Sequence, residues 1–105
     1  MDNLERFKGV SRLMDKDSFS RVRSANVLVI GLGGVGSWVV ESLARSGVEN
    51  FTLVDPDSVC VSNINRQLIA TSGTVGKSKV IAMRERILEI NPAARVRCIE
   101  DFFCD

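Results

Sequence analysis

The chain has 105 residues, 45% of them hydrophobic, which suits one domain with a buried core and no more. Lys and Arg number 14 against 13 Asp and Glu, so the net charge of +1 gives no footprint of a nucleic-acid or membrane-surface binder. There is no histidine, and Cys60, Cys98 and Cys104 form no C-x-x-C pair, so histidine chemistry, a disulfide framework and a zinc knuckle are excluded within this chain.

In chain order, Leu4, Phe7, Val10, Leu13 and Met14 have helix-like spacing interrupted by Gly9. They predict a short helical arm packed on the main body. Asp17 or Ser18 is placed to cap a second short helix carrying Phe19 and Val22. The N-terminus has no signal-peptide pattern, and no apolar run reaches the ~20 residues that span a bilayer. The expected compartment is therefore the reducing cytoplasm.

Asn26–Ile30 reads as a strand apolar on both faces, suited to a central parallel position with helices above and below. A helix over about Val35–Ser46 is expected to bury Val35, Val39 and Leu43, with Gly47 as its C-terminal glycine. Trp38 reads as a packing residue. Phe51–Val54 is the second strand, ended by Asp55-Pro56-Asp57. Ile64–Ile69 is placed for one helical turn, and Ser72–Gly76 for a loop. A long helix over about Lys77–Ile90 carries Val80, Met83, Ile87 and Ile90 inward, with Ile81 and Leu88 beside them, and Asn91-Pro92 ends it. Val96–Ile99 is the third strand, with Cys98 in the core. The cluster Arg84, Arg86, Arg95 and Arg97 reads as ordinary solvated faces.

The predicted fold is α/β: a Rossmann-like β-α-β-α-β half of a doubly wound parallel sheet with an N-terminal helical arm, the strands ordered 3-2-1. The arm covers residues 1–25 and the nucleotide-binding half domain 26–105. Strands 4 to 6 of such a sheet would follow, so the half domain reads as cut short and one edge of strand 1 as bare. Phe102-Phe103 is expected to pack against the sheet or against segments that follow.

The strand that enters Gly31-Leu32-Gly33-Gly34-Val35-Gly36 fits G-x-G-x-x-G through Gly31, Gly33 and Gly36. Gly31 permits the tight turn, Gly33 leaves the backbone open to a phosphate, and Gly36 lets the helix lie close on the strand. Asp55 follows 19 residues after Gly36, at a strand end, where an acid reaches ribose hydroxyls. A turn cap before Pro56 is the less favoured reading of Asp55, and Asp57 reads as either a ligand contact or a solvated turn residue. A nicotinamide cofactor has no need of Arg66 and Lys79 converging on a phosphate tail, whereas a nucleoside triphosphate does. Arginine grips two phosphate oxygens and stays charged. Lys77 reads as solvent-facing and Cys60 as a packing or hinge residue.

These stretches resemble the ThiF/MoeB/ubiquitin-activating superfamily of adenylating enzymes. The resemblance rests on Gly31–Gly36, Asp55-Pro56-Asp57, Ser62-Asn63-Ile64-Asn65-Arg66-Gln67, Val75-Gly76-Lys77-Ser78-Lys79 and Ile90-Asn91-Pro92. Arg6-Phe7, Gly9-Val10 and Arg12-Leu13, with Asp57–Asn63, resemble the tRNA threonylcarbamoyladenosine dehydratase branch. The resemblance implies that Gly33 and Gly34 pass under the phosphates of ATP, with Gly31 and Gly36 shaping the loop, and that Asp55 binds ribose. It implies Asp57, Ser62, Asn63, Arg66 and Lys79 around the nucleotide, and Arg12 supplied by the partner of a homodimer. Arg12, Arg66 and Lys79 are the implied catalytic residues. Magnesium is implied with ATP, its aspartate lying beyond residue 105, so no metal ligand is assigned within this chain.

The implied reaction is ATP-dependent adenylation of a carboxylate, in cyclisation of threonylcarbamoyladenosine in tRNA. Three alternatives stand beside it: adenylation of the C-terminus of a ubiquitin-like sulfur carrier, with a sulfur-donor or sulfur-carrier protein as partner, an NAD-binding oxidoreductase domain, and a non-catalytic folded or dimerisation module.

Overall fold

Three short runs rich in β-branched residues form the sheet, and the two right-handed crossovers between them decide which face is covered. The computed structural model describes residues 3–101. The expected packing of Phe102-Phe103, and Cys104, lie outside the described residues. Helices α1 (Lys8–Ser11) and α2 (Lys16–Ser24) precede strand β1 (Asn26–Ile30), helix α3 (Gly36–Arg45), strand β2 (Asn50–Val54), helix α4 (Lys79–Ile90) and strand β3 (Arg95–Ile99). The strands are parallel, with β2 in the middle. Asn26 pairs with Asn50 and Asn50 with Arg95, so residues 28, 52 and 97 share one face and 27, 51 and 96 the other.

Successive right-handed crossovers in one direction put both helices on the same face. Val40 and Ala44 of α3, with Val80, Met83 and Ile87 of α4, accordingly enclose Phe51 and Leu53 in one core. The opposite face of β1 is open, with Leu28 54% and Ile30 51% exposed. The expectation of helices above and below β1 is therefore corrected. An all-apolar strand marks a sheet meant to be covered on both sides, and does not say which elements cover it. The expected strand order and bare β1 edge are observed, since among the described residues β1 pairs only with β2.

Helix α3 presents a different face from the one expected. Ser37, Val40, Glu41 and Ala44 point inward, while Val35, Trp38 and Val39 are exposed. Gly36 forces this rotation. A Cβ there would stand 1.9 Å from the Gly31 carbonyl oxygen, so residue 36 must face the strand. Gly47 ends the helix as expected, at φ +106, with its N–H on Ala44 O and the Val48 N–H on Leu43 O.

The arm is a 3-10 turn over Asn3–Phe7 followed by α1 and α2. Phe7 and Phe19 are its buried anchors. Gly9 sits inside α1 without interrupting it. The cap of α2 is Asp15 rather than Asp17 or Ser18. Its carboxylate accepts the Ser18 N–H at 2.7 Å and the Ser18 hydroxyl at 3.1 Å, which holds its pKa below the ordinary value. A 3-10 turn over Val61–Asn63 precedes the turn expected over Ile64–Ile69, where the Gln67 N–H donates to Asn63 O at 2.9 Å and the Ala70 N–H to Gln67 O at 3.0 Å. Burial beneath α4 pushes the Cys98 thiol pKa up, so it stays protonated.

A buried carboxylate joins the two helices. Glu41 accepts from Arg45 at 2.6 Å and from Arg86 of α4 at 3.0 Å. The Arg86 hydrogen bond is the main cause of a lowered Glu41 pKa. A depressed carboxylate stabilises the fold above its unfolded value and loses that contribution as pH falls through its folded value. Arg86 is partly exposed, which screens the pair. Arg86→Met is expected to cost about 1–3 kcal/mol at pH 7 and less at pH 3, since the contribution fades as pH falls toward the lowered Glu41 value. Denaturant melts at both pH values check this. An equal cost at both would assign the loss to packing instead.

Candidate functional site

The site is assembled by main-chain hydrogen bonds that radiate from one carboxylate. The Gly31 N–H donates to Val54 O at 2.8 Å, which lays the start of the glycine loop against the end of β2. Gly31 takes φ +90, a conformation that only glycine adopts cheaply. Asp55, 5% exposed, then accepts the Leu32 N–H at 2.7 Å on Oδ2 and the Asp57 N–H at 2.8 Å on Oδ1. The Asp57 carbonyl in turn accepts the Lys79 N–H at 3.0 Å, at the first residue of α4. Glycine loop, β2 end and α4 start are thus one connected frame.

The turn-capping reading of Asp55 is observed, with a second main-chain bond beside it. The carboxylate caps the turn at Pro56 and also latches the glycine loop. Each carboxylate oxygen still has a second lone-pair direction, because an ionised carboxylate offers about four acceptor sites. The structural bonds of Asp57 use only its N–H and C=O, so its exposed carboxylate is not required by the frame.

A second set of bonds brings in the Arg66 segment. The Ser37 hydroxyl donates to Gly33 O at 2.6 Å and accepts the Leu68 N–H at 3.2 Å. The Trp38 indole N–H donates to Arg66 O at 3.2 Å. The Arg66 side chain passes over Gly34, where a Cβ would meet its Cγ at 3.7 Å. Ser37 and Trp38 were not singled out as positioning groups in the sequence. Both sit in the first turn of the helix that the glycine loop opens, and neither carries a charge or a motif of its own.

The two cations differ from the other charged groups nearby. Lys79 is 7% exposed, and among the described residues its ammonium has no ion pair or hydrogen bond. Arg66 Nη1 donates only to neutral acceptors, Ser62 O at 3.1 Å and Asn65 Oδ1 at 3.2 Å. Lys77, by contrast, pairs with Glu85 at 2.9 Å in solvent. A largely buried lysine side chain whose cation lacks a counter-charge has lost hydration without gaining a partner. An anionic ligand between the glycine loop and α4 would offset that loss. Gly33 leaves open space where a Cβ would be, so the loop is accessible from that side. These features fit a polyphosphate.

Asn63 is largely spent on its own turn, with Oδ1 accepting the Cys60 N–H at 2.9 Å and its carbonyl accepting from Arg66 and Gln67 N–H. Ser62 is exposed beside it. Gln67, also not singled out earlier, is buried and its Oε1 has no partner. Arg12 does not join the group. The segments flanking it are tied to the far end of α3 and α4. Arg6 lines a cavity with Arg45, Arg86 and Glu89, while Phe19 packs at Gly47 and Arg23 pairs with Glu49 at 2.8 Å. Ten residues of α3, ~15 Å, separate that end from the glycine loop.

Comparison with known proteins agrees with this geometry. The model of the ThiF family matches residues 8–105. The tRNA threonylcarbamoyladenosine dehydratase of Haemophilus influenzae is 57% identical over 103 residues, covering 97% of this chain and 40% of the relative. A crystal structure of the Escherichia coli tRNA N6-threonylcarbamoyladenosine dehydratase in complex with ATP superposes with a TM-score of 0.91 at 46% identity, covering 93% of this chain and 40% of that one. The molybdopterin-synthase adenylyltransferase of Escherichia coli is 40% identical over 83 residues, 79% of this chain and 33% of the relative. The chain thus spans about 40% of the length of the dehydratases it matches. With the glycine loop, the Asp55 latch and the Arg66 and Lys79 segments in this arrangement, the chain belongs to the ThiF family.

Proposed function

We propose that the complete protein is an enzyme that binds ATP at this site and uses it to adenylate a carboxylate, in the cyclising dehydration of threonylcarbamoyladenosine in tRNA. The observation that carries this reading is Lys79, a residue 7% exposed whose ammonium has no counter-charge among the described residues, at the start of the helix that the Asp55–Asp57 frame ties to an open glycine loop crossed by Arg66. The names of the dehydratase relatives, one of them holding ATP, support it.

In this reading Gly31, Gly33, Gly34 and Gly36 form the phosphate loop and Asp55 adds ribose hydroxyls to its two main-chain bonds. Asp57, Ser62 and Asn63 border the nucleotide. Arg66 and Lys79 stabilise negative charge as the threonyl carboxylate attacks the α-phosphate and pyrophosphate leaves. The resulting acyl-adenylate is closed into a ring by a nucleophile of the same modified base, with loss of AMP, so water is removed overall. Magnesium accompanies the triphosphate, its protein ligand lying beyond residue 105. The arm over 1–25 and the half domain over 26–105 act as one unit. The protein works as a homodimer in which Arg12 reaches the neighbouring site, and tRNA as substrate places it in the cytoplasm. Among the described residues no helix is long and apolar enough to cross a membrane. The similarity to a molybdopterin-synthase adenylyltransferase supports the shared adenylation step, and a sulfur-carrier C-terminus is the alternative substrate.

Titration of the complete protein with ATP and with NAD tests this reading. ATP is expected to raise the melting temperature, with the stabilisation growing as ligand exceeds Kd, and NAD is expected to raise it less. Tighter binding of NAD than of ATP would replace adenylation with a redox assignment.

A further inference from the structure

At the end of α3 away from the glycine loop, three arginines from three elements line one cavity of about 340 Å³. They are Arg6 of the N-terminal turn, Arg45 at the end of α3 and Arg86 of α4, with Glu89 and Ile90 beside them. The buried carboxylate of Glu41 holds two of the three in place. It accepts the Arg45 Nε–H at 2.6 Å, and the Nε–H and one Nη2–H of Arg86 at 3.0 Å each. Both terminal nitrogens of Arg45 and the Nη1 of Arg86 make no hydrogen bond among the described residues. Arg6 commits only its Nε, to the neutral Asn3 Oδ1 at 3.3 Å, and has no counter-charge among the described residues. A guanidinium carries five N–H donors, so most of the donors around the cavity are unspent. Glu89 is near enough to add to the upward shift of the Arg86 pKa that Glu41 chiefly causes. Glu41 and Glu89 therefore balance two of the three positive charges, and the cavity keeps one.

We propose that this cavity holds one phosphodiester group of a bound RNA, as a docking point separate from the nucleotide site. The identity of the RNA rests on the tRNA reading above, and the anion site rests on the arginines alone. One unbalanced positive charge matches the single negative charge of a phosphodiester. The nucleotide site is different, since Arg66 and Lys79 have no carboxylate partner there and suit a more highly charged polyphosphate. Guanidinium forks suit the two free oxygens of a phosphodiester. Glu41 fixes two of the forks in advance, so less side-chain freedom is lost on binding. The Arg45 and Arg86 side chains are 58% and 40% exposed, which leaves them within reach of a macromolecule. Such a contact reads no base. It sets where the RNA lies, ~15 Å of α3 away from the glycine loop. The net charge of the chain conceals this site, because the carboxylates that organise it also cancel most of its charge.

The test uses the complete protein and a fluorescent tRNA carrying threonylcarbamoyladenosine, with affinity read by anisotropy over a salt series in the absence of ATP. Arg6→Gln and Arg45→Gln are each expected to weaken binding about three- to tenfold. The double variant is expected to lower the slope of log affinity against log salt by about one, the share of a single phosphate. Glu89→Gln is expected to tighten binding several-fold, a gain that a damaged fold does not give. The rise in melting temperature with ATP is expected to match the wild type in every variant. Arg6 makes no bond to Glu41, so its result stands even if Arg45→Gln loosens the end of α3. Unchanged tRNA affinity in both arginine variants, or weaker binding by Glu89→Gln, would overturn the docking and leave adenylation untouched. A wild type that ATP stabilises but that binds no tRNA defeats the docking and the tRNA substrate together, and leaves adenylation of another carboxylate. Inorganic phosphate is the last arm. If it stabilises the wild type but not Arg6→Gln, while the two bind tRNA equally, the cavity takes a free anion and the RNA docking is overturned.

Discussion

Lys79→Met in the complete protein is expected to lower ATP–pyrophosphate exchange about 100- to 1000-fold, the scale for losing one aimed donor in a preorganised site. Its melting temperature is expected to hold or rise. Methionine keeps the stem that α4 buries and removes an ammonium that has no counter-charge among the described residues. Loss of function with retained or gained stability is the mark of a group held in place for a ligand. A structural lysine behaves in the opposite way. If Lys79→Met melts several degrees lower while exchange is untouched, the cation serves the fold, and the polyphosphate site loses its main support. Calorimetry and an exchange assay on the same preparation decide between the two.

Gly36→Ala is expected to unfold the protein at physiological temperature. The added Cβ would stand 1.9 Å from Gly31 O and 3.0 Å from Gly31 C, and both obstacles are backbone. Relief requires α3 to lift off β1, which uncovers Val40 and Ala44 and breaks the Ser37 bonds to Gly33 and Leu68. A cost of about 3 kcal/mol or more consumes a large part of the 5–15 kcal/mol that holds a typical domain. Gly33→Ala is the matched control. Nothing lies within 4 Å of a Cβ there, so its stability is expected to stay within about 1 kcal/mol, and any loss appears in ATP affinity. Urea melts of the two variants would overturn the close-packing argument if Gly36→Ala proved as stable as Gly33→Ala.

The strand–loop–helix frame was readable because its signals are local. Continuous apolar runs, glycines at fixed offsets and an acid at a strand end each act within a few residues, and the order β3-β2-β1 follows from crossover handedness. Non-local choices were not readable in the same way. Which stripe of α3 faces inward is set by a backbone contact between residues 36 and 31, so Val35 and Val39 looked like core residues and are surface. Asp15, Asp17 and Ser18 have similar cap chemistry, and only the observed bond to Ser18 N–H distinguishes the first. At the candidate site, Asp55, Arg66 and Lys79 stand out by residue type. The hydroxyl of Ser37 and the indole of Trp38, which align the Arg66 segment, have no charge or motif to advertise them.

The Asp55 latch also bears on how much sequence variation the site can absorb. Its donors are peptide N–H groups at positions 32 and 57, and the tie to α4 runs from one peptide group to another. Such bonds are indifferent to side-chain identity as long as neither donor is proline. At position 57 the scaffold thus specifies only a backbone path, and the exposed side chain there is free to vary. One carboxylate and a few missing Cβ atoms are enough to encode the loop. The same frame can then be retuned toward a new ligand by changing residues that the fold does not depend on.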